Sequence, residues 1–290
     1  MIDTAREPSR PGSAASWLSD AFDEAAPRYD LMVALNPGYH RELARAATGL
    51  ADHLRPGPVR VLDLGCGSGA STRALLRAVG HREQFAVLGL DASDGMLARA
   101  RAKSWPSGVR FERCLAQDLA ASRAALGLEE PVDGVLAAYL FRNLRGGDPA
   151  GSPRDERDDV LAAVRDLLRP GGFLVVQDYS VAGSPAASLV WTLVCWLVVI
   201  PLSWLTMRRT RLYRYLWRSV RDFESVQEFV DRLSAAGFVD VEVRTARGWQ
   251  RGILHTIRAR RPDGADHDQQ LGSPAPRVSV PVDRDPLRPS

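Results

Sequence analysis

The stretch VLDLGCGSGAST, residues 61–72, has the residue types and spacing best suited to holding a reactive small molecule. An apolar run ends at Asp63, Gly65, Gly67 and Gly69 alternate around Cys66, and TRALLRAVG then begins a helical pattern. Glycines here let the backbone take positive φ and let a ligand approach without Cβ clashes. Further on, FAVLGLD closes on Asp91, followed by Ala92. A carboxylate so placed accepts charge-assisted bonds from two ribose hydroxyls, each worth about 1.5–3 kcal/mol. The loop also satisfies G-x-G-x-x-A, so a dinucleotide site is the competing reading, and Asp91 serves both. Asp63 separates them. An acid two residues before the first glycine repels a pyrophosphate and suits a ligand carrying an ammonium and a sulfonium, as S-adenosylmethionine does.

Such a loop works only between a strand and a helix, and the chain alternates the two. VRVLDL (59–64), FAVLGL (85–90), VDGVLAAY (132–139), GFLVVQDYS (172–180), VDVEVRT (239–245) and GILHTIRAR (252–260) read as strands separated by helical patterns. That order implies an α/β fold with a doubly wound, mostly parallel sheet. Only a short stretch containing Gly248 and Gly252 divides the last two runs. It is too short for a helical crossover, so an antiparallel C-terminal hairpin is expected. Residues 1–15 and 262–290, rich in Pro, Gly, Ser, Asp and Arg without periodic apolar residues, read as disordered tails around a domain at 16–261.

Composition removes several classes. With 290 residues, 45% apolar and 25% charged, the chain is neither collagenous, disulfide-framed nor wholly disordered. A net charge of +3 gives no reason to expect nucleic-acid binding. Lys103 is the only lysine, so lysine chemistry is confined to one position. Cys66, Cys114 and Cys195 are odd in number and widely spaced, which favours neither a metal site nor disulfides and suits a reducing cytoplasm. The N-terminus lacks the apolar core of a signal peptide.

One segment stands apart. Ser184 to Met207 contains no charged residue in 24 positions, and six arginines follow between Arg208 and Arg221. The length permits a bilayer span. Pro201 interrupts it, however, and it falls between two strands of one sheet. An apolar segment beside a basic cluster is the composition of an element seated at an anionic lipid interface. A buried cap over the site, or a homodimer surface, would use the same residues.

Beyond the glycine loop, several pieces resemble the ubiquinone/menaquinone biosynthesis C-methyltransferase family, in the family's order. YDLMVALNPGYHRELAR keeps its Tyr29, Asp30, Gly38, His40 and Arg41, AYLFRNL resembles the signature "fGLRNv" at Arg142 and Asn143, and LLRPGGFLVVQDYS has Asp178 where the family has glutamate. YRYLWRSVRDF (213–223) and RGWQRGILHTIRARR are similar to its ending. The resemblance spans about residues 20 to 261 and implies the class I methyltransferase fold, S-adenosylmethionine as methyl donor, and a lipid quinol or other aromatic acceptor. It places Tyr139 on the donor side. In the passage that meets the donor's adenine, Leu115 replaces the family's acid, so Ala116, Gln117 or Asp118 is left to make that contact. The acidic insertion GGDPAGSPRDERDD is expected to be an exposed loop.

Methyl transfer from a sulfonium is an in-line displacement, with donor and nucleophile held about 3–3.5 Å apart. A quinol ring carbon is a poor nucleophile until a phenolic proton leaves, so a base or an acceptor of negative charge belongs beside it. Arg142 would stabilise a phenolate, or else tether the loop after the fourth strand to a carboxylate. His40 could act as the base, imidazole being the side chain that ordinarily changes charge near neutral pH, or serve as a structural group. Asp178, at the C-terminal end of its strand, could take a proton or cap the next helix. Tyr213 and Tyr215 could stack on an acceptor ring or pack a helix face. The expectation is a C-methyltransferase of a prenylated, demethylmenaquinol-type ring, peripheral at the inner membrane face. A secondary-metabolism O- or C-methyltransferase and a non-catalytic membrane-associated binder are the rivals.

Overall fold

The computed structural model describes residues 22–23, 36, 38–144, 155–207 and 211–263. Seven strands form one sheet: β1 (Val59–Leu64), β2 (Phe85–Asp91), β3 (Val109–Arg113), β4 (Val132–Ala138), β5 (Leu168–Tyr179), β6 (Val239–Thr245) and β7 (Leu254–Arg260). Their spatial order is β3-β2-β1-β4-β5-β7-β6. All pairs from β3 to β5 are parallel, whereas β7 runs antiparallel to both β5 and β6. The doubly wound sheet with its antiparallel C-terminal hairpin is as the sequence predicts. β3 was not foreseen: VRFER has two apolar residues among three charged ones, because an edge strand needs only one covered face.

The apolar runs read as continuous because both faces of the sheet are covered. Val59 and Val61 of β1 pack with one cluster while Leu62 and Leu64 join the other. On the Val59 side lie α1 (Tyr39–Ala51), α2 (Ala70–Val79) and helices that follow β5, namely α5 (Pro185–Val194), a π-turn at Cys195–Val199 and, after α6 (Ile200–Met207), whose Ile200 packs on Tyr213, α7 (Arg211–Arg221). The Leu62 side receives α4 (Glu156–Leu167) and α8 (Val226–Ala235). A smaller helix, α3 (Asp94–Arg101), sits near β2 and β3, with Leu97 and Ala100 packed on Phe111 and Cys66.

Local signals set the helix starts. Ser93, Asp155 and Ser184 each accept a backbone N–H of the following turn, and Ser225 forms a reciprocal capping box with Glu228. Asp155 and Glu156 therefore correct the expectation for the acidic insertion, whose final residues open α4. Its preceding residues, 146–154, lie outside those described, as do Tyr29, Asp30, and both expected tails apart from residues 262 and 263.

Candidate active site

The C-terminal ends of β1, β2 and β4 open onto a cleft of about 370 Å³, where an open α/β sheet places its ligand. Gly65, Gly67 and Gly69 all have positive φ, at 77°, 53° and 89°. At Gly69 a Cβ would also come within 2.9 Å of the Trp105 ring, so both conformation and packing require glycine. Asp91 crosses from the end of β2 to accept the Gly67 N–H at 2.8 Å and the Ser93 N–H at 2.9 Å. One carboxylate thus ties the glycine loop to the start of α3.

Asp63 lies deeper than the sequence suggests. It is fully buried, accepts the Ser71 and Thr72 hydroxyls at 2.8 and 2.6 Å, and does not line the cleft. Its other oxygen has no hydrogen-bond partner among the described residues. Burial pushes its carboxyl up to about 7 against the lowering effect of the two hydroxyls, and burial raises Asp91 too, opposed by its backbone donors. Two acids destabilised by desolvation favour a cationic ligand and oppose a pyrophosphate, which would add negative charge. The residues present therefore fit a sulfonium donor, and Asp91, Ala92, Ala116 and Gln117 all line the cleft that would receive it.

The other end of the cleft is built from the loop after β4. Tyr139 has φ 60°, an unusual value for a tyrosine, and two side chains hold it there. Arg142 donates to its carbonyl at 2.7 Å and Asn143 at 3.0 Å. Arg142 also pairs with Asp178 at 2.8 Å, both side chains being buried. Asp178 further accepts the Arg142 and Tyr179 N–H groups. Burial raises the Asp178 carboxyl, and the Arg142 guanidinium beside it works in the opposite direction. The Tyr139 ring lies stacked between Tyr39 and Tyr179, with centroids 5.1 and 5.2 Å away.

Of the residues expected from the sequence, Gly65, Cys66, Gly67, Asp91, Ala92, Ala116, Gln117, Tyr139, Arg142 and Asn143 line this one cleft. Gly69, Asp63 and Asp178 support it from behind. Asp118 points away: it is exposed on the 3-10 turn Ala116–Asp118 and is not part of the lining. His40 is likewise exposed and outside the cleft, and its neighbour Tyr39 is the α1 residue that lines it. Sequence reasoning passed over Tyr39, Ser93, Leu115 and Glu156 as well as Phe22. Tyr39 was legible, because it shares the apolar stripe of α1 with Leu43, Ala46, Ala47 and Leu50. Beside Phe22, Asp23 accepts the Gly95 N–H at 2.8 Å and the Ser93 hydroxyl, placing residues 22–23 against the start of α3.

A 3-2-1-4-5-7-6 sheet with this glycine loop after its first strand and an acid at the end of its second defines a class I S-adenosylmethionine-dependent methyltransferase. The fold matches that of the N-methyltransferase NodS from Bradyrhizobium japonicum, solved with S-adenosyl-L-homocysteine, at a TM-score of 0.54 and 17% identity over 85% of this chain and 99% of that one. Residues 12–256 match the ubiE/COQ5 methyltransferase family, and the chain belongs to it. A ubiquinone/menaquinone biosynthesis C-methyltransferase, UbiE, from Methylobacterium nodulans is 30% identical over 80% of this chain and 86% of its own length. The demethylmenaquinone methyltransferase of Thermus thermophilus is 33% identical, with 75% of this chain and 90% of that protein covered.

Proposed function

We propose that the protein methylates a ring carbon of a quinol of the demethylmenaquinol type. S-adenosylmethionine supplies the methyl group as a sulfonium electrophile. The chain's own residues hold the partners in line and shield them from water. Gly65 to Gly67 and Asp91 would fix the donor, leaving its reactive end near Tyr139.

The observation that carries the acceptor reading is the wall of the cleft beyond that point. Tyr39, Leu140, Leu144 and Tyr215 give it aromatic and apolar surfaces, backed by the stacked Tyr139 ring, and among them stand the guanidinium of Arg142 and the amide of Asn143. A planar ring with oxygen substituents suits that combination. Arg142 stays protonated and would stabilise negative charge developing on a ring oxygen. Family membership and the quinone-pathway relatives support the same acceptor class.

Purified protein given S-adenosylmethionine and a reduced demethylmenaquinone is expected to form the ring-methylated product, identified by mass spectrometry. Transfer to soluble phenols with none to the quinol would overturn the acceptor and favour a secondary-metabolism enzyme.

A further inference from the structure

The helices between β5 and β6 have a surface that nothing in the described fold covers. Pro185–Leu202 is long and apolar enough to cross a bilayer by length and composition, yet only 17% of it is buried. The buried positions Ala187, Trp191 and Cys195 recur every four residues and dock on the core. Trp191 reinforces this by donating to the Trp217 carbonyl, and Trp217 by donating to the Thr192 hydroxyl. The opposite side presents Leu189, Leu193, Trp196, Leu197 and Trp204 at 45–70% exposure. A contiguous ridge of this kind marks an interaction surface. Because one flank is fastened to the protein, lipid could not surround the helix, a geometry that suits an element lying in an interface better than one spanning it.

Charge selects the occupant. Ser184 to Arg221 contains no acid, and Arg214, Arg218 and Arg221 are all exposed at spacings of four and three on α7. A second copy docked on the ridge would bring its own arginines to the same place, where like charges repel. An anionic lipid surface complements both features. The same α7 carries Tyr215 into the wall of the cleft, its hydroxyl 3.4 Å from Asn143.

We propose that α5 to α7 seat the protein on an anionic bilayer, with the ridge among the acyl chains and the arginines at headgroup level, so that a membrane-dissolved acceptor reaches Arg142 past Tyr215. The delivery step rests on the quinol reading; the lipid seat does not.

The full chain is to be sedimented with phosphatidylcholine vesicles with and without phosphatidylglycerol. Binding is expected only with the anionic lipid. Arg214→Gln with Arg218→Gln should weaken it about thirtyfold, near fivefold per charge. Leu193→Glu with Leu197→Glu should abolish it while leaving transfer to a short-chain, water-soluble quinol unchanged. In the unaltered protein, brominated acyl chains should quench tryptophan fluorescence, and Trp196→Phe with Trp204→Phe should remove most of that quenching. Equal binding to neutral vesicles, unchanged binding by these variants, absence of quenching, or a stable dimer that ignores vesicles would each overturn the proposal. Resistance to alkaline carbonate extraction would replace it with a span. Vesicle binding without turnover of any quinol would sink the acceptor assignment and leave the lipid seat standing.

Discussion

The Arg142 guanidinium sits 2.8 Å from the Asp178 carboxylate, with the side chains 8% and 4% exposed. Each compensates the other's charge in a place where water cannot. Asp178 is therefore held as a partner of Arg142, and the pair anchors the loop on which Tyr139 stands.

Removing one partner of such a pair leaves a buried charge uncompensated. Arg142→Ala is expected to destabilise the fold by about 3–5 kcal/mol in denaturant unfolding. Adding Asp178→Asn to that variant should restore part of the loss. Strictly additive losses would show that the two do not act together. Turnover by Arg142→Ala should fall far more than donor affinity.

Asp91 offers a separate handle on the donor. Asp91→Ala is expected to weaken binding of S-adenosylhomocysteine at least tenfold, about 1.4 kcal/mol, by isothermal titration. Unchanged affinity in a folded variant would remove Asp91 from the donor site.

The raised carboxyl of Asp63 makes stability depend on pH with a definite sign. Its ordinary value is 3.8 and the folded protein holds it near 7, so the native state binds the extra proton between those limits. Its favourable contribution is full below pH 3.8 and is lost as pH rises through about 7. Unfolding of Asp63→Asn against the unaltered protein, both without donor, should show the variant gaining relative stability up to pH 7 and level afterwards. A difference independent of pH would place the Asp63 carboxyl at its ordinary value.

Asn143→Ala deletes one of two donors to the Tyr139 carbonyl. The expected loss is about 1 kcal/mol of stability, with kcat reduced and donor affinity retained. A variant impaired only in donor binding would contradict the assignment of Asn143 to the acceptor end.

The donor half of the site was legible because its chemistry depends on contiguous residues: Asp63 to Gly69 form one loop, and Asp91 ends one strand. The acceptor half is assembled from distant elements, and single residues mislead there. His40 and Tyr39 are adjacent in sequence but about 100° apart around α1, which turns the candidate base to solvent and the unconsidered ring to the cleft. Glu156 was hidden in an acidic run whose composition reads as loop, although Asp155 caps a helix there. Asp178 was correctly put at the end of a strand, but its pairing with Arg142 depends on how β4 and β5 align, which no local pattern states.

The sheet order also bears on how the chain is made. β7, the final strand in sequence, lies between β5 and β6. Until residues 254–260 emerge from the ribosome, β5 has an unfilled border and β6 lacks a neighbour, while the greasy helices of 185–207 are already synthesised. Such an intermediate exposes both a template for wrong pairing and a sticky surface. Nascent chains stalled before Leu254 should therefore recruit chaperones, and those released after Arg260 should not.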